Sequence, residues 1–152
     1  MSTKFKLTSE TATWIGRTFF RIEALIDFGT VAKGEKGGFV EAEKNLSQDG
    51  NAWVSGDAMV SGDAMVYGNA RVSGNARVSK PLCCATRSDG YTFTVAPDKD
   101  GELVVIAGCR YFTFKQAKAH WEKTRGGTQL GDESLQILKH LKAMAKIRHG
   151  NL

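Results

Sequence analysis

Proline is scarce: two residues against seventeen glycines in a chain of 152. That argues against a proline-rich linker protein and for many tight turns. No apolar run approaches the roughly 18 residues that a membrane span needs, so no membrane association is expected. The opening MSTKFKLTSETATW has no apolar core of signal-peptide length, so no export signal is expected and the expected compartment is the cytoplasm. Cysteine is sparse and odd in number. Cys83 and Cys84 are adjacent, Cys109 stands alone, and no Cys-x-x-Cys or neighbouring histidine accompanies them. Reduced thiols are expected, and a zinc site is not.

What the chain does have is an ordinary globular balance, 41% hydrophobic and 24% charged, which supports a buried core and excludes wholesale disorder. Its length suits one domain, or one domain with a small appendage. The net charge is +5 and is unevenly placed. Residues 1–49 carry seven basic and seven acidic side chains, and residues 50–79 two of each. The excess lies after residue 80: eight against five over 80–131, then four against two over 132–152. An acidic mimic of DNA is excluded. A modest basic surface for RNA, DNA or an acidic protein is compatible with this distribution.

Residues 50–79 read GNAWVS GDAMVS GDAMVY GNARVS GNARVS, five consecutive hexads of the form Gly-(Asn/Asp)-Ala-x-Val-x. A fixed short period marks a stacked-repeat fold. Alanine and valine columns two residues apart suit one side of a short strand, and the Gly-(Asn/Asp) pairs supply turns. Counting back in sixes from Ala52 gives Leu46, Val40, Gly34, Phe28 and Ile22, which starts the repeat near residue 20.

These hexads resemble the hexapeptide repeat of left-handed parallel β-helices, in which three hexads make one coil of 18 residues. A narrower similarity covers more of the chain. Leu7-Thr8-Ser9-Glu10-Thr11, Arg21-Ile22-Glu23-Ala24-Leu25 and Gly37-Gly38-Phe39-Val40-Glu41, followed by the hexads, resemble phage and prophage hexapeptide-repeat proteins of unknown function. The repeat count and this resemblance together lead to the expectation of a mainly β chain with three parts: an N-terminal cap segment over 1–19, a left-handed parallel β-helix of about three coils over 20–80, and an α/β tail domain over 81–152 with a β-hairpin or meander and two helices. An 18-residue coil would stack Val54 on Val72, Val60 on Val78 and Ala52 on Ala70, inside a narrow filled interior. The outward column would read Trp53, Met59, Met65, Arg71 and Arg77, with Trp53 and Arg71 stacked as a cation–π pair. Three large apolar groups around one coil are unusual in free solvent. They are expected either at a subunit contact, for which the resemblance implies a homotrimer, or beneath the chain's own termini.

Lys80-Pro81 breaks the register. Residues 90–96 and 102–108 read as strands joined by a turn at 97–101, with CRYFTF a candidate third strand. Residues 114–125 read as a helix with Phe114, Ala117 and Trp121 on one side. Asp132 is the expected N-cap of a last helix with Leu135, Leu138, Leu141, Met144 and Ala145 on one face and Gly150 as its C-cap. Lys139, Lys142, Lys146 and Arg148 make this helix basic, either as a solvated face or as a binding surface for nucleic acid or an acidic protein. It lacks interleaved aromatics to stack single-stranded bases.

No catalytic constellation emerges. Acyltransferases of the β-helix class use a histidine on a coil, whereas His120, His140 and His149 all lie beyond the repeats. GEKGG (34–38) lacks the Gly-Lys-Ser/Thr of a phosphate loop, and Ser55, Ser61, Ser73 and Ser79 have no Gly-x-Ser-x-Gly setting. The expected function is non-enzymatic: an oligomeric phage-type protein that binds a host factor, inhibition of a host defence included, with no cofactor and no metal. The alternatives are a nucleic-acid-binding accessory protein acting through the basic helix and, against the missing coil histidine, an acyltransferase-like enzyme.

Overall fold

The fold was taken from a computed structural model, which describes residues 3–149. The chain divides into two compact units, Met1–Pro81 and Leu82–Leu152.

The first unit is built on mixed sheets. Strands β1 (Phe5–Trp14) and β2 (Arg17–Ala24) form an antiparallel hairpin, and β3 (Lys36–Val40) pairs antiparallel with β2. A 3₁₀ turn at Glu43–Asn45 follows. The hexads then supply four two-residue strands: β4 (Trp53–Val54), β5 (Met59–Val60), β6 (Arg71–Val72) and β7 (Arg77–Val78). One five-stranded sheet runs β1-β2-β3-β5-β7, and β4-β6 form a separate pair.

The chain therefore does not form the expected left-handed β-helix of about three coils over 20–80. Residues 17–40 lie in an antiparallel meander, and the expected boundary at residue 19 falls inside β2. The reason lies in the turns. Ile15-Gly16 is a two-residue connection that returns the chain beside itself, and both residues have positive φ, as a I′-type turn requires. Gly-(Asn/Asp) turns act only from residue 50 onward. Between hexads the partners are 18 residues apart, Trp53 with Arg71 and Val60 with Val78. Upstream they are 20 apart, Val40 with Val60 and Leu46 with Val66. Counting in sixes put Leu46 and Val40 in the alanine column, but they pair with the valine column.

The two additional residues fall between Leu46 and Gly50, and they hold the N-terminal strand. Gln48 Oε1 accepts the backbone N–H groups of Thr3, Lys4 and Phe5 at 3.2, 2.7 and 3.3 Å. Lys4 is buried, and its Nζ donates to the carbonyls of Asp49, Gly50 and Ala52, the last at 2.8 Å. It also stands 4.9 Å from the centre of the Phe28 ring. Burial lowers the Lys4 pKa, and the Asp49 charge partly opposes this.

The motif residues quoted above meet one another. Arg21 Nε donates to Glu10 at 2.6 Å, its Nη1 to the Gly37 carbonyl at 2.7 Å, and its guanidinium lies 4.4 Å from the Phe39 ring centre. Gly37 has no room for a side chain. A Cβ there would sit 2.5 Å from the Val54 carbonyl oxygen and 2.7 Å from atoms of Ile22 and Trp53. The pair Gly37-Gly38 thus lets β3 cross directly over the first hexads.

Ile15 is a β-branched residue at φ +49°, and it is 81% exposed. A left-handed conformation costs such a residue roughly 1–2 kcal/mol, and asparagine tolerates it far better. Ile15→Asn is expected to raise stability by about 1 kcal/mol. A lower midpoint in urea denaturation would contradict the turn geometry.

The second unit is a four-stranded antiparallel sheet carrying two helices. Its strands are β8 (Cys83–Thr86), β9 (Thr92–Pro97), β10 (Leu103–Ala107) and β11 (Arg110–Phe112), in the order β11-β10-β9-β8. Helix α1 spans Phe114–Arg125 and α2 spans Gln129–His149. The two expected strands and the candidate third are β9, β10 and β11, and β8 is the strand that the turn signals did not mark. Thr113 caps α1, accepting from Gln116 N. Asp132 lies in the first turn of α2 rather than at its N-cap, and Gly150 lies outside the described residues. The core joins Cys83, Phe93, Val95 and Val105 of the sheet to Trp121 of α1 and Leu138 and Leu141 of α2. Burial pushes the Cys83 thiol pKa up. Among the described residues no helix is long and apolar enough to cross a membrane.

Candidate functional site

Two residues of the expected outward column are covered by the chain itself. Trp53 is 1% exposed, with the Phe28 ring edge-on at 5.3 Å. Met59 is buried with Phe19 and Phe39, and Ala12 and Trp14 of the hairpin pack against this group. Arg71 donates to Thr30 Oγ1 at 3.1 Å, and the other arginine of the column, Arg77, lies 4.7 Å from the centre of the Trp14 ring. Met65 is 44% exposed and is joined across Val66 by the exposed Tyr67.

The basic residues of α2 divide in the same way. Lys139, Lys142 and Lys146 are exposed. Arg148 is half-buried and donates to the Leu82 carbonyl at 3.0 Å and to Cys83 Sγ at 3.6 Å, which ties the end of α2 to the start of β8. Arg148 is therefore a structural anchor rather than part of the open face.

Leu135, Lys139, Lys142 and Lys146 follow one another at i, i+4, i+7 and i+11, so they form one stripe along α2. Beside it α1 contributes Phe114 and, one turn later, Lys118. Together Phe114, Leu135 and Leu138 floor a groove of about 350 Å³ whose rim is Lys118, Lys139 and Lys142. The Lys142 ammonium stands 5.4 Å from the centre of the Phe114 ring. Among the described residues none of these lysines is in an ion pair. Sequence reading missed Lys118; it placed Phe114 on one side of the helix with Ala117 and Trp121, and Phe114 does pack against that core while also lining the groove. The available signal was the i, i+4 spacing of Phe114 and Lys118, which puts a cation beside a ring.

A second concavity, about 620 Å³ and lined by Thr86, Asp132, Glu133, Gln136, Ile137 and His140, lies elsewhere on the same helix. Its Glu133 accepts from the Ser88 hydroxyl at 2.7 Å and from the Ser88 N–H at 2.8 Å. These bonds hold the Glu133 carboxyl below its usual range, which suits a fixed carboxylate and not a proton donor. His120 lies between rings, 5.3 Å from Phe112 and 4.9 Å from Trp121. Desolvation, and then the charges of Arg110 and Lys123, lower its pKa. This is a packing position. Gly37 and Gly38 of the GEKGG segment lie within β3, so the segment makes no anion-binding loop. Among the described residues no three His, Cys, Asp or Glu side chains converge to hold a metal ion.

The second unit therefore carries a lysine-rimmed apolar groove between two helices. Neither a protein-family model nor a protein of curated function matches this chain.

Proposed function

We propose that this chain is a non-enzymatic binding protein that takes an acidic partner protein on the helices of its second unit. The observation that carries this reading is the set of exposed lysines, Lys118, Lys139, Lys142 and Lys146, gathered without a pairing carboxylate around apolar side chains. Such a rim steers an acidic surface toward the groove, and the floor rewards close contact once it arrives. The resemblance of the hexads supplies the setting, a phage-type protein acting on a host factor in the bacterial cytoplasm. Of the apolar side chains expected at the contact of a homotrimer, which the resemblance implies, Met65 remains exposed with Tyr67 beside it, whereas Trp53 and Met59 are covered.

Changing Lys118, Lys139, Lys142 and Lys146 together to Gln is expected to leave the melting temperature nearly unchanged, since exposed charges contribute under about 1 kcal/mol each. Binding to poly-L-glutamate should weaken by about tenfold or more, and its salt dependence should flatten. If native protein binds a DNA duplex more tightly than polyglutamate, and the quadruple variant loses that binding, the nucleic-acid reading replaces this one.

A further inference from the structure

We infer that the groove between α1 and α2 selects an acidic peptide segment carrying one large apolar side chain, which enters between Phe114 and the Leu135–Leu138 floor; this rests on the acidic-partner reading above. The floor consists of three apolar side chains, two of which, Phe114 and Leu135, are only half-buried in the isolated chain. Leaving them at the surface forgoes burial that a guest side chain would complete. At about 350 Å³ the space lies at the low end of the roughly 300–1,000 Å³ of ligand pockets. That suits a single anchoring side chain better than a large cofactor.

The rim determines what flanks the anchor. Lys118 stands on α1, and Lys139 and Lys142 stand on α2, so positive charge lies on both sides of the cleft. Carboxylates placed before and after the anchor could meet both sides at once. Lys142 already sits over the Phe114 ring, and a carboxylate arriving with the anchor would give its ammonium a stronger partner. A sugar-phosphate backbone could pair with the same lysines but would leave the apolar floor wet. A fatty acid could fill the floor but brings one charge to three cations.

The experiment compares two fluorescein-labelled acidic peptides that differ at one central residue, Leu or Ser, titrated against the full chain. The Leu peptide is expected to bind about tenfold more tightly or better. Phe114→Ser is expected to erase that preference while leaving the weak binding of the Ser peptide, and Leu135→Gln should do the same in case the first variant melts early. Equal binding of the two peptides, still weakened by the lysine-to-glutamine changes, would overturn the groove while leaving the acidic-partner reading intact. Failure of both peptides and of polyglutamate would overturn the reading itself. Dodecanoate binding with no preference between the peptides would overturn the peptide assignment. A dimer that Phe114→Ser dissociates, with neither peptide bound, would assign the groove to a second copy of this chain.

Discussion

Val60→Asp is expected to unfold the first unit. Val60 is 0% exposed and lies in register between Val40 of β3 and Val78 of β7. Its strand partners on both sides are valines, whose side chains offer a carboxylate no donor. Burying an unpaired carboxylate there costs several kcal/mol. That is comparable to the roughly 5–15 kcal/mol by which a whole domain is stable. Met65→Asp is the control, because Met65 occupies the column position that remains exposed. It should shift the midpoint by about 0.5 kcal/mol or less. Ser61, which a simple outward count would offer as the control, is buried. Circular dichroism of urea unfolding reads both variants, and equal midpoints would refute the register.

Arg87→Ala is expected to destabilise the second unit by roughly 2–4 kcal/mol. Arg87 is buried beyond the end of β8 and joins several elements. Its Nε and Nη2 donate to Asp89 at 2.9 and 2.7 Å, and its Nη1 donates to Ser134 Oγ on α2 at 3.1 Å. Its guanidinium lies 4.8 Å from the Tyr91 ring centre. Truncation removes the bidentate pair, leaves a cavity beside the rings and takes one partner from a buried serine. The same pair predicts an acid signature. Hydrogen bonding to Arg87 holds the Asp89 carboxyl at about 2, against an ordinary value of 3.8. The folded-state pKa is depressed, so this stabilisation is complete above about pH 4 and fades as the pH falls toward 2. Glu133, held low by Ser88, acts in the same direction. Asp89→Asn should therefore lower the melting temperature at pH 7 and shrink the difference from native protein near pH 2. A constant difference across that range would show that the pair does not couple to folding.

Local chemistry was legible where one residue type has one physical reason to be where it is. The alanine and valine columns of the hexads are buried, because small and branched apolar groups at a spacing of two share one side of a strand. Phe114–Arg125 is helical, with a Thr113–Gln116 capping box that the sequence displays. The basic stripe of α2 follows from spacing alone. The architecture was not legible. A hexad period says which residues face inward but not how far upstream the stacking extends. Two residues added before Gly50 shift the phase, and only the paired strands reveal it. Nor does an outward position imply exposure. Trp53 and Met59 point away from the hexad interior, yet one packs against Phe28 and the other lies with Phe19 and Phe39, residues remote in sequence.

The site divides along the same line. Counting charges and helical spacing is enough to gather the positive charge late in the chain and to put Lys139, Lys142 and Lys146 on one helix face. It takes the packed fold to turn Arg148 inward to Leu82 and Cys83 and to bring Lys118 and Phe114 of α1 across from Leu135 and Leu138. Periodicity fixes the angle of a side chain about its own helix, whereas a groove depends on which second helix packs alongside it and in what register.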